Sequence, residues 1–147
     1  MKLSTKGRYG IKAMVELAIN YECGCKLSIS QLADRQGISP SYLEQLIASL
    51  RKAGLVTASR GAQGGYSLSR APELISVGEI LKALEGSTAI ADCVGTNGTD
   101  CTNACSCSAR PLWIKLQRGI DNVLDSTSIR DMADDYKIQS ERINGLK

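Results

Sequence analysis

The sequence predicts a mostly α-helical fold with a small β-hairpin, a winged helix-turn-helix with a long C-terminal dimerisation helix. Three observations predict it. A short helical segment, a glycine turn and a capped longer helix follow one another across residues 28–54. Two alternating stretches then flank a glycine-rich turn within residues 55–69. Further on, Trp113, Leu116, Ile120 and Val123 recur at alternating steps of three and four.

The elements follow in order. Ile11, Met14, Val15, Ala18 and Ile19 keep the spacing of an amphipathic helix and are expected to face inward. Ser4 or Thr5 can cap its start, and Gly24 lies near its end. Cys23 and Cys25 fall at that end, where they are expected to fill space, a second metal site being the lesser alternative. A second helix over residues 28–36 turns Ile29, Leu32 and Ala33 inward and breaks at Gly37. Ser39 then offers a cap and Pro40 a first-turn proline to a third helix, whose Leu43, Leu46, Ile47 and Leu50 share one face up to Gly54.

A plain helical hairpin is the blander reading of this segment, and its continuation argues against it. Residues 55–59 and 66–69 alternate as strands around Gly61-Ala62-Gln63-Gly64-Gly65. Those glycines are not a phosphate-binding loop, because no Gly-Lys-Ser/Thr ending follows them. Ser76 caps a fourth helix carrying Val77, Ile80, Leu81 and Leu84, which stops at Gly86. Pro111 opens the long helix, whose apolar seam suits packing against an identical helix in a symmetric homodimer. Packing on its own domain is the alternative. A short helix over residues 129–136 and a polar tail complete the chain. The expected division is a reading domain at 1–86, a cysteine loop at 87–109, and a dimerisation helix with tail at 110–147.

Charge and composition narrow the function. Residues 1–70 hold ten Lys/Arg against four Asp/Glu, whereas residues 71–147 hold eight against eleven. The basic half points to an anionic partner, double-stranded DNA. The N-terminus has no apolar signal core and no apolar run approaches a membrane span, so a cytoplasmic location without membrane contact is expected. The chain has no histidine to activate a cysteine nucleophile, which argues against an enzyme.

In a helix-turn-helix, the start of the second helix reaches base edges while groups around it grip phosphates. Here those positions are Ser39, Ser41, Tyr42, Glu44 and Gln45. Gln45 can pair bidentately with adenine, Ser41 can bond several bases, and Tyr42 suits a phosphate or a thymine methyl. Glu44 tolerates the anionic groove only by accepting from a cytosine amino group; its alternative is a solvent-facing glutamate. Arg60, beside Gly61 on the wing, suits a narrow minor groove. Lys2, Lys6, Arg8, Arg51 and Lys52 are expected phosphate contacts. A dimer would set two such units about one helical turn apart on a promoter pseudo-palindrome.

Cys93, Cys101, Cys105 and Cys107 crowd one stretch of small and polar residues. Their spacing lacks the paired Cys-x-x-Cys knuckles of structural zinc sites. A loop-wrapped iron–sulfur cluster tolerates such spacing, and Gly95 and Gly98 would let the loop wrap. A cluster is favoured, with zinc and metal-free thiols left open.

The opening residues 1–10, the segment Ser41-Tyr42-Leu43-Glu44-Gln45-Leu46, Gly54-Leu55-Val56, Arg60-Gly61 and Gly64-Gly65-Tyr66 together resemble the Rrf-type winged-helix regulators over residues 1–135. In that family three cysteines mark the cluster-binding branch, and Cys93, Cys101 and Cys107 are similar to that set. The resemblance implies a homodimeric transcription regulator that holds a cluster of the [2Fe–2S] type and represses cluster-assembly genes. The branch's histidine ligand, three positions after its last cysteine, is replaced here by Arg110, and the first cysteine spacing is two residues longer than usual. Cys105, a carboxylate or an exogenous group could then complete the ligands. Other branches sense nitric oxide, or lack the cysteines and repress sulfur metabolism.

Overall fold

A computed structural model describes residues 3–95 and 101–146. Ser4 accepts a hydrogen bond from the Gly7 N–H and caps α1 (Thr5–Ile19). Its buried face is Gly7, Gly10, Ala13, Met14, Leu17 and Ala18. The expected face was partly different: Met14 and Ala18 are buried, whereas Ile11, Val15 and Ile19 are only half-buried. The glycines are the reason. A Cβ at Gly10 would run into the Leu84 side chain, and one at Gly7 into Glu85. Their bare surface lets the fourth helix approach closely, and the core lies on that side. Ile11 and Val15 instead border a cleft shared with Met132 and Tyr136.

The next two helices form as the sequence predicts. A capping box of Ser28 and Gln31 starts α2 (Ile29–Gln36), and Gly37 ends it in the left-handed region at φ 64°. Ser39 caps α3 (Pro40–Lys52), with Pro40 in its first turn. Leu43, Leu46, Ile47 and Leu50 of α3 are fully buried on Leu32, Ala33 and α1. The wing comprises β1 (Val56–Ser59) and β2 (Gly65–Leu68), antiparallel in the register Val56↔Leu68 to Ser59↔Gly65. The wing has a further partner that no periodicity announces. Leu27 and Tyr66 exchange backbone hydrogen bonds of 3.0 and 2.8 Å, tying the α1–α2 connection to β2.

Past the wing, α4 (Val77–Glu85) starts with a Ser76–Glu79 capping box and packs on α1. The long helix α5 (Arg110–Ser126) begins at Arg110, one residue before Pro111, and packs on α4. The last element differs from expectation. Instead of a short helix and a tail, α6 (Ile129–Gly145) is continuous. Its Ile129 and Ala133 are fully buried in the same core as α1. A Ser128–Asp131 box caps it, and Ser76 and Ser128 form a backbone bridge that sets the starts of α4 and α6 side by side. Arg130 pairs with Glu22 at 3.0 Å and Glu73 at 2.7 Å, linking α6 to the turn after α1 and to the segment before α4.

Both capping carboxylates are held below the usual carboxylate range. Burial alone would push Glu79 up, but hydrogen bonds from the Ser76 N–H and from Arg70 outweigh it. The Ser128 hydroxyl and N–H lower Asp131. Depressed folded values mean that this contribution is complete above the ordinary carboxylate range and fades as pH falls through the lowered values. The urea midpoint of Glu79→Gln/Asp131→Asn should therefore lie below that of wild type at pH 7, and the gap should close as pH falls through and below the ordinary carboxylate range. A gap that stays constant with pH would contradict this.

Candidate nucleic-acid interface and cysteine loop

Ser41, Glu44 and Gln45 stand exposed along the first turns of α3, on the side opposite its buried leucines. The Ser39 hydroxyl oxygen accepts from the Tyr42 N–H, so capping already commits part of that residue. Tyr42 is half-buried, and its ring meets that of Tyr9 edge-on at 6.3 Å between centroids. It therefore positions α3 against α1, with only part of its surface free for a ligand. The Lys12 ammonium lies 5.3 Å above the Tyr9 ring, adding a cation beside this pair that the sequence did not single out.

Glu44 forms no ion pair among the described residues. Arg51 and Lys52 are exposed at the C-terminal end of α3, and Lys6 and Arg8 are exposed at the start of α1. Arg60 and Gly61 occupy the exposed wing turn, where Gly61 sits at φ 105°. At Gly64 a Cβ would collide with the Ser59 carbonyl oxygen, so the turn closes this tightly only with glycine there. Lys2 lies outside the described residues.

The cysteine loop is anchored at both ends to α5. On its incoming side, the Gln117 side chain is the buried polar group among the described residues. Its Oε1 accepts from the Ile90 N–H at 2.9 Å, while its Nε2 donates to Asp121 Oδ1 at 2.9 Å and to the Thr88 carbonyl at 3.5 Å. On the outgoing side, residues 101–107 wind through successive turns: Ala104 N–H to Cys101 O, Cys107 N–H to Asn103 O, then Arg110 N–H to Cys107 O. Gln117 escaped sequence reasoning because a glutamine in a polar helix reads as solvent-facing until the loop folds back over it.

All four loop cysteines are free thiols, Cys93 and Cys107 half-buried and Cys101 and Cys105 exposed. Such a donor set suits an iron–sulfur cluster by its chemistry. The Arg110 Nε is buried without a hydrogen-bond partner, one turn from Cys107, which leaves a cationic donor available there. The described residues nevertheless do not gather three Cys, Asp or Glu side chains at metal-holding distance. Gly98 and the rest of residues 96–100 lie outside the described residues. Cys23 and Cys25 do not fill space at the end of α1; both are exposed and disulfide-bonded to each other.

Along α5, Leu112, Leu116 and Val123 are 52, 45 and 64 % exposed and line an apolar trough with Gly119, Ile120 and Leu124. Trp113, expected in this seam, is half-buried.

A model of the Rrf2 family, described as iron-dependent transcriptional regulators, matches residues 3–135. The chain belongs to the Rrf2 family. It is therefore a DNA-binding transcription regulator and not an enzyme. It is 40% identical to the transcriptional regulator IscR of Aliivibrio salmonicida over 146 residues, covering 98% of this chain and 85% of that one. The solved structure of CymR, the global cysteine regulator of B. subtilis, superposes with a TM-score of 0.77 at 40% identity, covering 91% of this chain and 97% of that chain. T. potens IscR superposes with a TM-score of 0.75 at 43% identity, covering 92% and 88%. In this Rrf2 chain no helix among the described residues is long and apolar enough to cross a membrane.

The unpaired Glu44 generates a specificity prediction. Sequence selection from a random duplex pool should show Glu44→Ala accepting bases that wild type rejects at one position per half-site. The relaxed discrimination should be worth about 1–3 kcal/mol. Identical selected sites for both proteins would remove Glu44 from base reading.

Proposed function

We propose that this Rrf2 regulator is a homodimer that reports iron–sulfur cluster status and controls cluster-assembly genes. Cys93, Cys101 and Cys107, with Cys105 as the remaining thiol of the loop, would hold a cluster of the [2Fe–2S] type. The observation that carries this reading is the free-thiol loop pinned at both ends to α5, the helix with the exposed apolar stripe. When bound, the cluster would supply iron- and redox-dependent ligation of these thiolates.

The chain's own residues would do the rest. The Gln117 amide holds the incoming strand of the loop on α5. Leu112, Leu116 and Val123 offer the stripe that a second copy would cover, since large exposed aliphatic side chains on one helix face mark an interface. Ser41, Glu44 and Gln45 would read base edges, with Arg60 at the minor groove and Lys6, Arg8, Arg51 and Lys52 on phosphates. Ordering the loop would shift α5, and through the dimer the spacing of the two reading helices.

A second reading has its own support. The chain is as similar to CymR as to IscR, and the described residues bring no three donors together. In that reading the protein is a cluster-free repressor of cysteine or sulfur metabolism. A nitric-oxide-sensing cluster is the remaining variant of the first reading.

Purification without oxygen tests the choice. Iron with matching sulfide and a visible absorption band, both lost in Cys93→Ala while the circular dichroism spectrum is kept, is the expected result. Colourless wild-type protein that still binds its promoter would establish the cluster-free reading. For the dimer, Leu116→Glu should sediment as a monomer with near-native helix content and bind a two-half-site duplex at least tenfold more weakly. Unchanged sedimentation would move the interface elsewhere.

A further inference from the structure

Cys23 and Cys25 share an exposed tight turn with Gly24 between them at φ 65°. That turn is held on two sides. Glu22, just before it, pairs with Arg130 of α6. Leu27, just after it, exchanges both backbone hydrogen bonds with Tyr66 of the wing. Between turn and wing lies an open, mostly polar cleft lined by Gly24, Cys25 and Lys26 on one side and Ala62, Gln63 and Gly64 on the other. The backbones also touch closely: a Cβ at Gly65 would lie 2.9 Å from the Leu27 carbonyl oxygen. A change in the Cys23–Cys25 turn is therefore transmitted to β2 through two residues of backbone, with no flexible side chain intervening.

The two redox states make different demands on this turn. In the disulfide both sulfurs are committed to each other, and the wing is paired to Leu27. The Cys23 Sγ lies 3.2 Å from the Asn20 carbonyl oxygen, a contact that becomes a hydrogen bond only when that sulfur carries a proton. As a thiol, Cys23 can therefore donate to the C-terminal end of α1.

We propose that Cys23 and Cys25 are a thiol–disulfide exchange site for small disulfides, and that its oxidised form holds the wing in its DNA-binding position. The exchange balances without a metal. The Cys25 thiolate attacks one sulfur of a low-molecular-weight disulfide, forming a mixed disulfide and expelling one thiolate. The Cys23 thiolate then attacks the Cys25 sulfur, closing the internal disulfide and expelling the second thiolate. The two cysteine protons end on the two released thiols, so the cysteines are oxidised and the small disulfide is reduced. This site is separate from the loop at residues 93–107 and holds whether or not that loop binds a cluster.

Sequence makes the test clean, because trypsin cleavage after Lys12 and Lys26 releases both cysteines in one peptide free of loop cysteines. The full-length protein is equilibrated with oxidised or reduced glutathione, alkylated and digested, and promoter affinity is measured on the same samples. The expected result is a residue 13–26 peptide that carries two alkyl groups after reduction and none after oxidation, when its mass lies two hydrogens below that of the free dithiol. Reduction should weaken promoter binding by about fivefold or more and speed amide exchange at Leu27 and Tyr66. The affinity change should vanish in Cys23→Ser/Cys25→Ser. A peptide that stays a dithiol overturns the proposal. So does equal affinity in both states, or an affinity change that survives in the double variant and so arises from the loop thiols.

Discussion

The approach of α1 to α4 is what the rest of the molecule depends on. Gly7 and Gly10 present bare backbone to Leu84 and Glu85, so the two helices meet where a Cβ would have to displace those side chains. Around that contact α1 also touches α2, α3, α6 and β2. Its Ala13, Met14, Leu17 and Ala18 form the floor on which the α3 leucines rest. Close-packed interiors transmit displacement instead of absorbing it, so the exposed side of α3 inherits its position from this floor. Tyr9, on the same helix, steadies Tyr42 from the side, which brings the basic start of α1 beside the start of the reading helix.

What the sequence disclosed, and what it hid, follows from how far each signal reaches along the chain. Serine caps with an acceptor three residues on, as at Ser28 and Ser76, act within one turn and are visible locally. The four buried aliphatic residues of α3 and the glycine-turned wing were legible for the same reason, as was the crowding of four thiols into one loop. The rotated face of α1 was not. Periodicity weighs side chains, and here the decisive positions are two residues without any. The Leu27–Tyr66 pairing joins distant backbone groups that carry no compositional mark. The second half of α6 is polar, with Ile138 and Ile143 exposed, so it lacks the stripe by which a core-facing helix announces itself. In the candidate site, Glu44 and Gln45 could be placed from their offset to Ser39, whereas Gln117 acquires its role only through a loop that returns from elsewhere.

A short run of contacts connects the loop to the reading head. Both ends of the cysteine segment terminate on α5, α5 packs on α4, and α4 lies against the glycine face of α1. The Gln117 side chain makes the first link and helix packing makes the others, instead of a chain of exposed ion pairs, which are weak and screened by salt. Dependence of DNA binding on the loop would therefore persist at ionic strengths that suppress long-range electrostatics.

The burial of Ile129 and Ala133 has a consequence for how the protein is made. These side chains close a core whose first members, Ala13 and Met14, emerge from the ribosome more than a hundred residues earlier. A nascent chain holding only the DNA-reading elements leaves one flank of α1 uncovered, and folding of a unit waits for the parts that complete it. The thiols at 93–107 are thus translated before the core beneath the reading elements has been closed by its last helix.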